Sequence, residues 1–96
     1  MIGVFMKDEK EVAKIIELVN KQLDAVISDT SVPRNVRSAV QEAKGALKGE
    51  GDYVVRVSGA IYAIDSISND INLQPQARTL IWNLLSMLES IKEDEQ

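Results

Sequence analysis

The chain has 96 residues, with 11 Lys and Arg against 15 Asp and Glu, a net charge of −4, and neither Cys nor His. That is length for one domain, and it excludes disulfides, thiol nucleophiles, imidazole acid–base chemistry and zinc sites built on Cys or His. Apolar residues make up 45% and charged residues 27%, the balance of a folded globular domain rather than a disordered tail.

Met1-Ile2-Gly3-Val4-Phe5-Met6 is an apolar leader. It is too short for a secretory core and lacks a basic lead-in and a small-residue cleavage site. No apolar run reaches the ~18–20 residues of a membrane span. A cytoplasmic protein without membrane partners is the expectation. The organisation expected is a leader over residues 1–7, a domain over 8–91 and a polar tail over 92–96.

The first helix is predicted from Asp8, a cap with Glu11 behind it, to Ser28. Val12, Ile15, Ile16, Val19, Leu23, Val26 and Ile27 recur at spacings of three and four and form its stripe. After the Asp29–Val32 break, Pro33 opens the second helix, whose apolar face is Val36, Ala39, Val40, Ala43 and Leu47. Gly49 and Gly51 supply the backbone freedom to end it, and Asp52 caps the third helix. That helix covers Tyr53 to Ser68 on Val54, Val57, Ala60, Ile61, Ile64 and Ile67. It is apolar or small nearly all round, the mark of a helix buried on more than one side. Pro75 opens the fourth helix, which runs to Ile91 on Ala77, Ile81, Leu84, Leu88 and Ile91. Nothing alternates as a strand would. The fold class expected is all-α, an up-and-down four-helix bundle with short connections between antiparallel neighbours.

The halves align at an offset of 41 residues, which pairs Asp29 with Asp70, Val32 with Leu73, Arg37 with Arg78, Val40 with Ile81 and Leu47 with Leu88. The bundle is therefore read as two similar helical hairpins. The Asp–Arg matches at Asp29 and Arg37, and at Asp70 and Arg78, are read as loop staples in which carboxylate and guanidinium pair. Solenoid repeats share a period near 40 residues, but two units fall short of the three or more a solenoid needs.

Three runs are distinctive: Ser28-Asp29-Thr30-Ser31-Val32-Pro33-Arg34-Asn35-Val36-Arg37, Ile67-Ser68-Asn69-Asp70, and Ala77-Arg78-Thr79-Leu80-Ile81-Trp82-Asn83 with Leu88-Glu89-Ser90-Ile91 beyond it. Together they are similar to the signature of a small archaeal family of uncharacterised proteins. The resemblance implies a four-helix bundle of the kind classed with bromodomain-like bundles, and an archaeal, thermophilic, cytoplasmic source. It places Met1 to Met6 outside the usual pattern. It implies no activity, cofactor or site residue.

Catalytic, cofactor and metal sites are not expected. Asp29, Asp65 and Asp70 could gather for a metal or acid–base work only without any His, and Asp29 and Asp70 have structural loop roles before them. Ser28, Ser58, Ser66, Ser68 and Thr79 have no His to activate them, and Lys48-Gly49-Glu50-Gly51-Asp52 lacks the Gly-Lys-Ser/Thr step of a phosphate loop. Two surfaces remain. Arg34, Arg37, Lys44 and Lys48 share a basic stripe on the second helix, echoed by Lys7, Lys10, Lys14 and Lys21 on the first, and such a strip suits phosphates or an acidic partner. Against nucleic acid stand the acidic balance and the lack of interleaved aromatics. The second surface is surplus apolar area at Phe5, Val55, Gly59, Tyr62, Trp82 and Leu85, which marks an interface unless the leader folds back over it. The functional expectation is a non-enzymatic interaction module that forms a homo-oligomer and engages an unidentified protein partner, with Tyr62, Trp82 and Leu85 at its contact. A nucleic-acid accessory role for the basic stripe is the alternative.

Overall fold

A computed structural model describes residues 9–93. Four helices follow in order: α1 (Glu9–Ser28), α2 (Arg34–Lys48), α3 (Tyr53–Asp65) and α4 (Pro75–Glu93). Among the described residues there is no strand. The expected cap at Asp8 lies outside them.

Each helix packs on two others: α1 on α2 and α4, and α3 on α2 and α4. Among the described residues the diagonal pairs do not meet. A ring of consecutive neighbours is the contact order an up-and-down bundle gives. Its interior is aliphatic. Val19 and Leu23 of α1, Val36, Val40 and Leu47 of α2, Val57 and Ile64 of α3, and Ile81, Leu84, Leu88 and Ile91 of α4 are fully or almost fully buried. These are the i, i+3, i+4 positions of each stripe. Ile15, Ile16 and Ile27 pack against that core from its edges, half-buried.

The seams of the ring differ in tightness. At α2–α3 the contacting positions are small. Ala39 and Ala43 of α2 and Ala60 and Ala63 of α3 are all buried, and a Cβ placed on Gly59 would stand 3.2 Å from the Ala46 Cβ. Gly59, read as spare surface, is exposed and is also a point of close helix approach. The Arg56 guanidinium binds the same pair by donating from Nη1 to the Leu47 carbonyl at 3.1 Å, a cation on the open carbonyl end of α2. The α1–α4 seam uses larger, half-buried residues such as Leu80 and Met87, and the Gln22 amide donates across it to the Met87 sulfur at 3.9 Å.

Helix ends follow local chemistry. Asp52 caps α3, its carboxylate accepting from the Val54 N–H at 3.3 Å. Gly51 alone among the described glycines takes a positive φ, +108°, and turns the chain between α2 and α3, while Gly49 keeps φ −67°. Pro33 stands at the cap position of α2 rather than inside it, whereas Pro75 is the first residue of α4. The third helix stops at Asp65, short of the Ser68 end read from its stripe. The Ser66 and Ser68 hydroxyls donate to the carbonyls of Ala63 and Asp65 at 2.6 and 3.0 Å, and the Ile67 and Ser68 N–H groups reach back only three residues. Serine hydroxyls competing for helix carbonyls tighten and end the helix there.

Candidate functional site

The hairpin loops, α1–α2 and α3–α4, repeat bond for bond. The Asp29 N–H donates to the Val26 carbonyl and the Asp70 N–H to the Ile67 carbonyl, both at 3.1 Å. Val32 and Leu73 close the turns onto the Asp29 and Asp70 carbonyls, again at 3.1 Å. Arg37 and Arg78 make the first helical bonds, to Pro33 at 3.0 Å and Gln74 at 2.9 Å. Each carboxylate accepts from the N–H two residues on, Ser31 at 2.9 Å and Asn72 at 2.8 Å. These are Asx turns, in which the aspartate side chain replaces a backbone acceptor. The 41-residue offset is therefore a repeat of conformation as well as of hydrophobicity.

The staple itself differs from the expected ion pair. Neither Asp29–Arg37 nor Asp70–Arg78 forms a salt bridge within 4.0 Å. Arg78 donates instead to the main-chain oxygen of Asp70, at 3.4 Å, and Arg37 acts on Asp29 only through its charge. The loop N–H groups reach the carboxylates first. They also set the acidities. Bonds from the Ser31 hydroxyl and N–H, helped by Arg37, hold Asp29 below the usual carboxylate range of 3.8. The Asn72 N–H and the Asn35 amide do the same for Asp70.

The repeat is broken where the loops meet. Asn35 reaches from α2 to Asp70, Nδ2 to Oδ2 at 2.6 Å, and locks the two loops together. Its repeat mate, Gln76, makes no such bond to Asp29. Between them opens a cavity of about 190 Å³ with Val26, Val32, Ala77 and Leu80 at its floor. Where Asn35 closes one seam, Gln76 leaves the other open.

No three of His, Cys, Asp and Glu gather as a metal site among the described residues. Asp65 is exposed at the end of α3. The hydroxyls of Ser66, Ser68 and Thr79 are bonded to helix carbonyls.

The basic stripe lies along the α1–α2 groove. Arg34 and Arg37 line one hollow with Ile27, Ser38 and Gln41. Lys44 and Lys48 line the next with Asp24 and the same Ile27 and Gln41. The stripe is partly compensated, because Lys44 pairs with Asp24 across the groove. On α1, Lys10, Lys14 and Lys21 are exposed, with Lys21 3.9 Å from Glu17. Lys7 lies outside the described residues.

The apolar candidates separate. Val55 and Tyr62 are exposed, 65% and 82%, on the outer face of α3, so α3 is buried on its inner sides and open outward. Trp82 is 56% exposed on the neighbouring α4. Leu85 is half-buried and packs against the edge of the core. Phe5 lies outside the described residues. Two exposed apolar residues escaped the sequence reading. Leu18 is 52% exposed beside the α1 stripe, and Ile71 is 89% exposed at the crest of the α3–α4 loop. The signal for Ile71 was its repeat mate, the polar and exposed Thr30.

These features define a small all-helical bundle protein built from two repeated hairpins. The chain belongs to UPF0147, an uncharacterised protein family, whose pattern matches residues 4–91 and so begins inside the apolar leader. It is 45% identical over 85 residues to a UPF0147 protein of Methanocaldococcus jannaschii, covering 88% of this chain and 91% of that one. A UPF0147 protein of Methanosarcina acetivorans is 41% identical over 93 residues, 96% of each chain. Both relatives are archaeal. A crystal structure from the same family, of a Thermoplasma acidophilum protein, superposes with a TM-score of 0.77 at 29% identity, covering 82% of this chain and 94% of that one. Another crystal structure, of a protein of unknown function, gives 0.81 at 38% identity over 90% of this chain and 99% of that one. Among the described residues no helix is long and apolar enough to cross a membrane.

Proposed function

We propose that this protein is a non-enzymatic interaction module that pairs with a second copy of itself through the outer face of α3. The observation that carries the reading is the charge-poor exposed surface of that helix. Between Tyr53 and Ile64 the only charged side chain is Arg56, and it is turned to the end of α2. Val55 and Tyr62 stand exposed on either side of Ser58 and Gly59. Exposed tyrosine on a surface depleted of charge is the composition of an interface centre.

The spacing suits a two-fold pair. In an isologous contact residue i meets residue j, and j meets i. An antiparallel α3–α3 crossing centred between Ser58 and Gly59 sets each Tyr62 on the other copy's Val55, with small residues at the crossing. Trp82, on the adjacent helix, sits at the rim. Tyr62→Glu is expected to convert a dimer to a monomer that keeps its helicity, because Tyr62 contributes little to the core, and to lose only the concentration-dependent part of the melting temperature that dimerisation adds. Light scattering across a concentration series reads this directly. A native protein that stays monomeric, or a variant that stays dimeric, contradicts the proposal.

The nucleic-acid reading draws less support. Lys44 is engaged by Asp24, and the described aromatics Tyr53, Tyr62 and Trp82 lie on α3 and α4 rather than beside the basic stripe of α2.

A further inference from the structure

Gly45 has no evident role in the fold. It lies within α2, where glycine weakens a helix relative to alanine. Its φ is not positive, and a Cβ built on it would meet nothing within 4 Å. Neither backbone conformation nor close packing calls for glycine. What its bareness does is lower one wall of the α1–α2 groove. The two hollows of that groove, about 270 and 450 Å³, lie side by side and share Ile27 and Gln41 in their walls. Gly45 borders the larger of them, between Lys44 and Lys48.

The charge along this groove is one-sided. Arg34, Arg37, Lys44 and Lys48 line it against a single acid, Asp24. On a chain with a net charge of −4, a cationic cleft is a local departure from the whole. Arg34 and Lys48 are exposed at its two ends, and neither has an ion-pair partner among the described residues.

We infer that the α1–α2 groove is a docking cleft for an acidic peptide segment of another protein, with carboxylates on Arg34 and Lys48 and an apolar side chain in the space left by Gly45. Charge complementarity selects an acidic occupant. The half-buried Ile27 beneath the groove, and the missing side chain above it, give an apolar residue a seat that a phosphate backbone would not use. No aromatic residue lines the groove to stack a base. This surface is formed by α1 and α2, so it is independent of pairing through α3.

The test is fluorescence anisotropy at low salt with two labelled probes, an Asp/Glu-rich peptide carrying one leucine and a single-stranded RNA of similar length. The peptide is expected to bind. Gly45→Leu fills the cleft with every charge intact, and Arg34→Glu with Lys48→Glu reverses both ends. Each is expected to weaken peptide binding by about tenfold or more, a change that reads as loss of one good contact, while circular dichroism and melting confirm a folded bundle. Absence of peptide binding overturns the inference. So does a Gly45→Leu variant that binds as the native protein does, since binding would then follow surface charge without the cleft. RNA that binds more tightly and displaces the peptide overturns it in favour of a nucleic-acid surface.

Discussion

Asp29 and Asp70 are the residues whose chemistry most directly shapes the bundle's loops. Loop N–H, hydroxyl and amide donors favour their charged forms, so each carboxyl is held below its ordinary value of 3.8. A lowered folded-state pKa contributes stability that is present above the unfolded value and is lost as pH falls through the folded one. Acid titration of the native protein should therefore show stability falling below about pH 3.8. Asp29→Asn combined with Asp70→Asn, which keeps an acceptor oxygen but cannot titrate, should flatten that acid limb in a pH series of urea melts. Equal acid sensitivity in the variant would show that other carboxylates govern it. Asn35→Ala should lower the melting temperature more than Gln76→Ala, because only Asn35 bridges the loops. That both aspartates serve the loops was legible in their 41-residue match. That they take backbone N–H groups rather than Arg37 and Arg78 was not, since an Asx turn and an ion pair need the same residue types and differ only in which donor the folded loop brings closer.

At the scale of helices, two mid-helix glycines give a controlled comparison. Gly45 faces open space and Gly59 faces Ala46 at 3.2 Å. Replacing a mid-helix glycine by alanine gains roughly 0.5–1 kcal/mol of helix preference. Gly45→Ala should realise that gain in a chemical melt. Gly59→Ala should realise less, because the added methyl presses on α2, and Gly59→Leu should destabilise by about 1–3 kcal/mol through overpacking. If both alanine variants gain equally, the α2–α3 seam is looser than described. The four stripes, the Asp52 cap and the turn at Gly51 follow from periodicity and backbone preference, so they could be read from the residues. The early stop of α3 could not. Ile67 continues its apolar rhythm, and only the hydroxyl bonds of Ser66 and Ser68 within the last turns end the helix before it. Gly59 is exposed and also stands close to Ala46; a glycine on an apolar helix signals open surface and close approach equally well, and only the position of α2 shows the second.

The whole molecule rests on one aliphatic core closed by four helices. Leu23 and Leu84 are fully buried within it, and truncating either to alanine should cost about 2–5 kcal/mol, a large share of the ~5–15 kcal/mol typical of a domain. Leu23→Ala should accordingly unfold at markedly lower denaturant, whereas Tyr62→Glu should not at a dilution where the native protein is also monomeric. That contrast separates residues that hold the fold from residues the fold displays. Of the displayed set, the chain pattern revealed Val55, Tyr62 and Trp82, because each falls away from its helix's main stripe. Leu85, beside the stripe, leans onto the core and is less displayed than these three, and the chain pattern passed over Leu18 and Ile71. Exposure at a seam or a loop crest depends on how neighbouring helices meet. On the proposed reading, the outer face of α3 pairs two copies of the bundle. Sedimentation equilibrium of the native protein beside Tyr62→Glu tests it most directly. A native dimer and a monomeric variant with unchanged helicity is the result expected, and a native monomer at every concentration, or a variant that still dimerises, would contradict it.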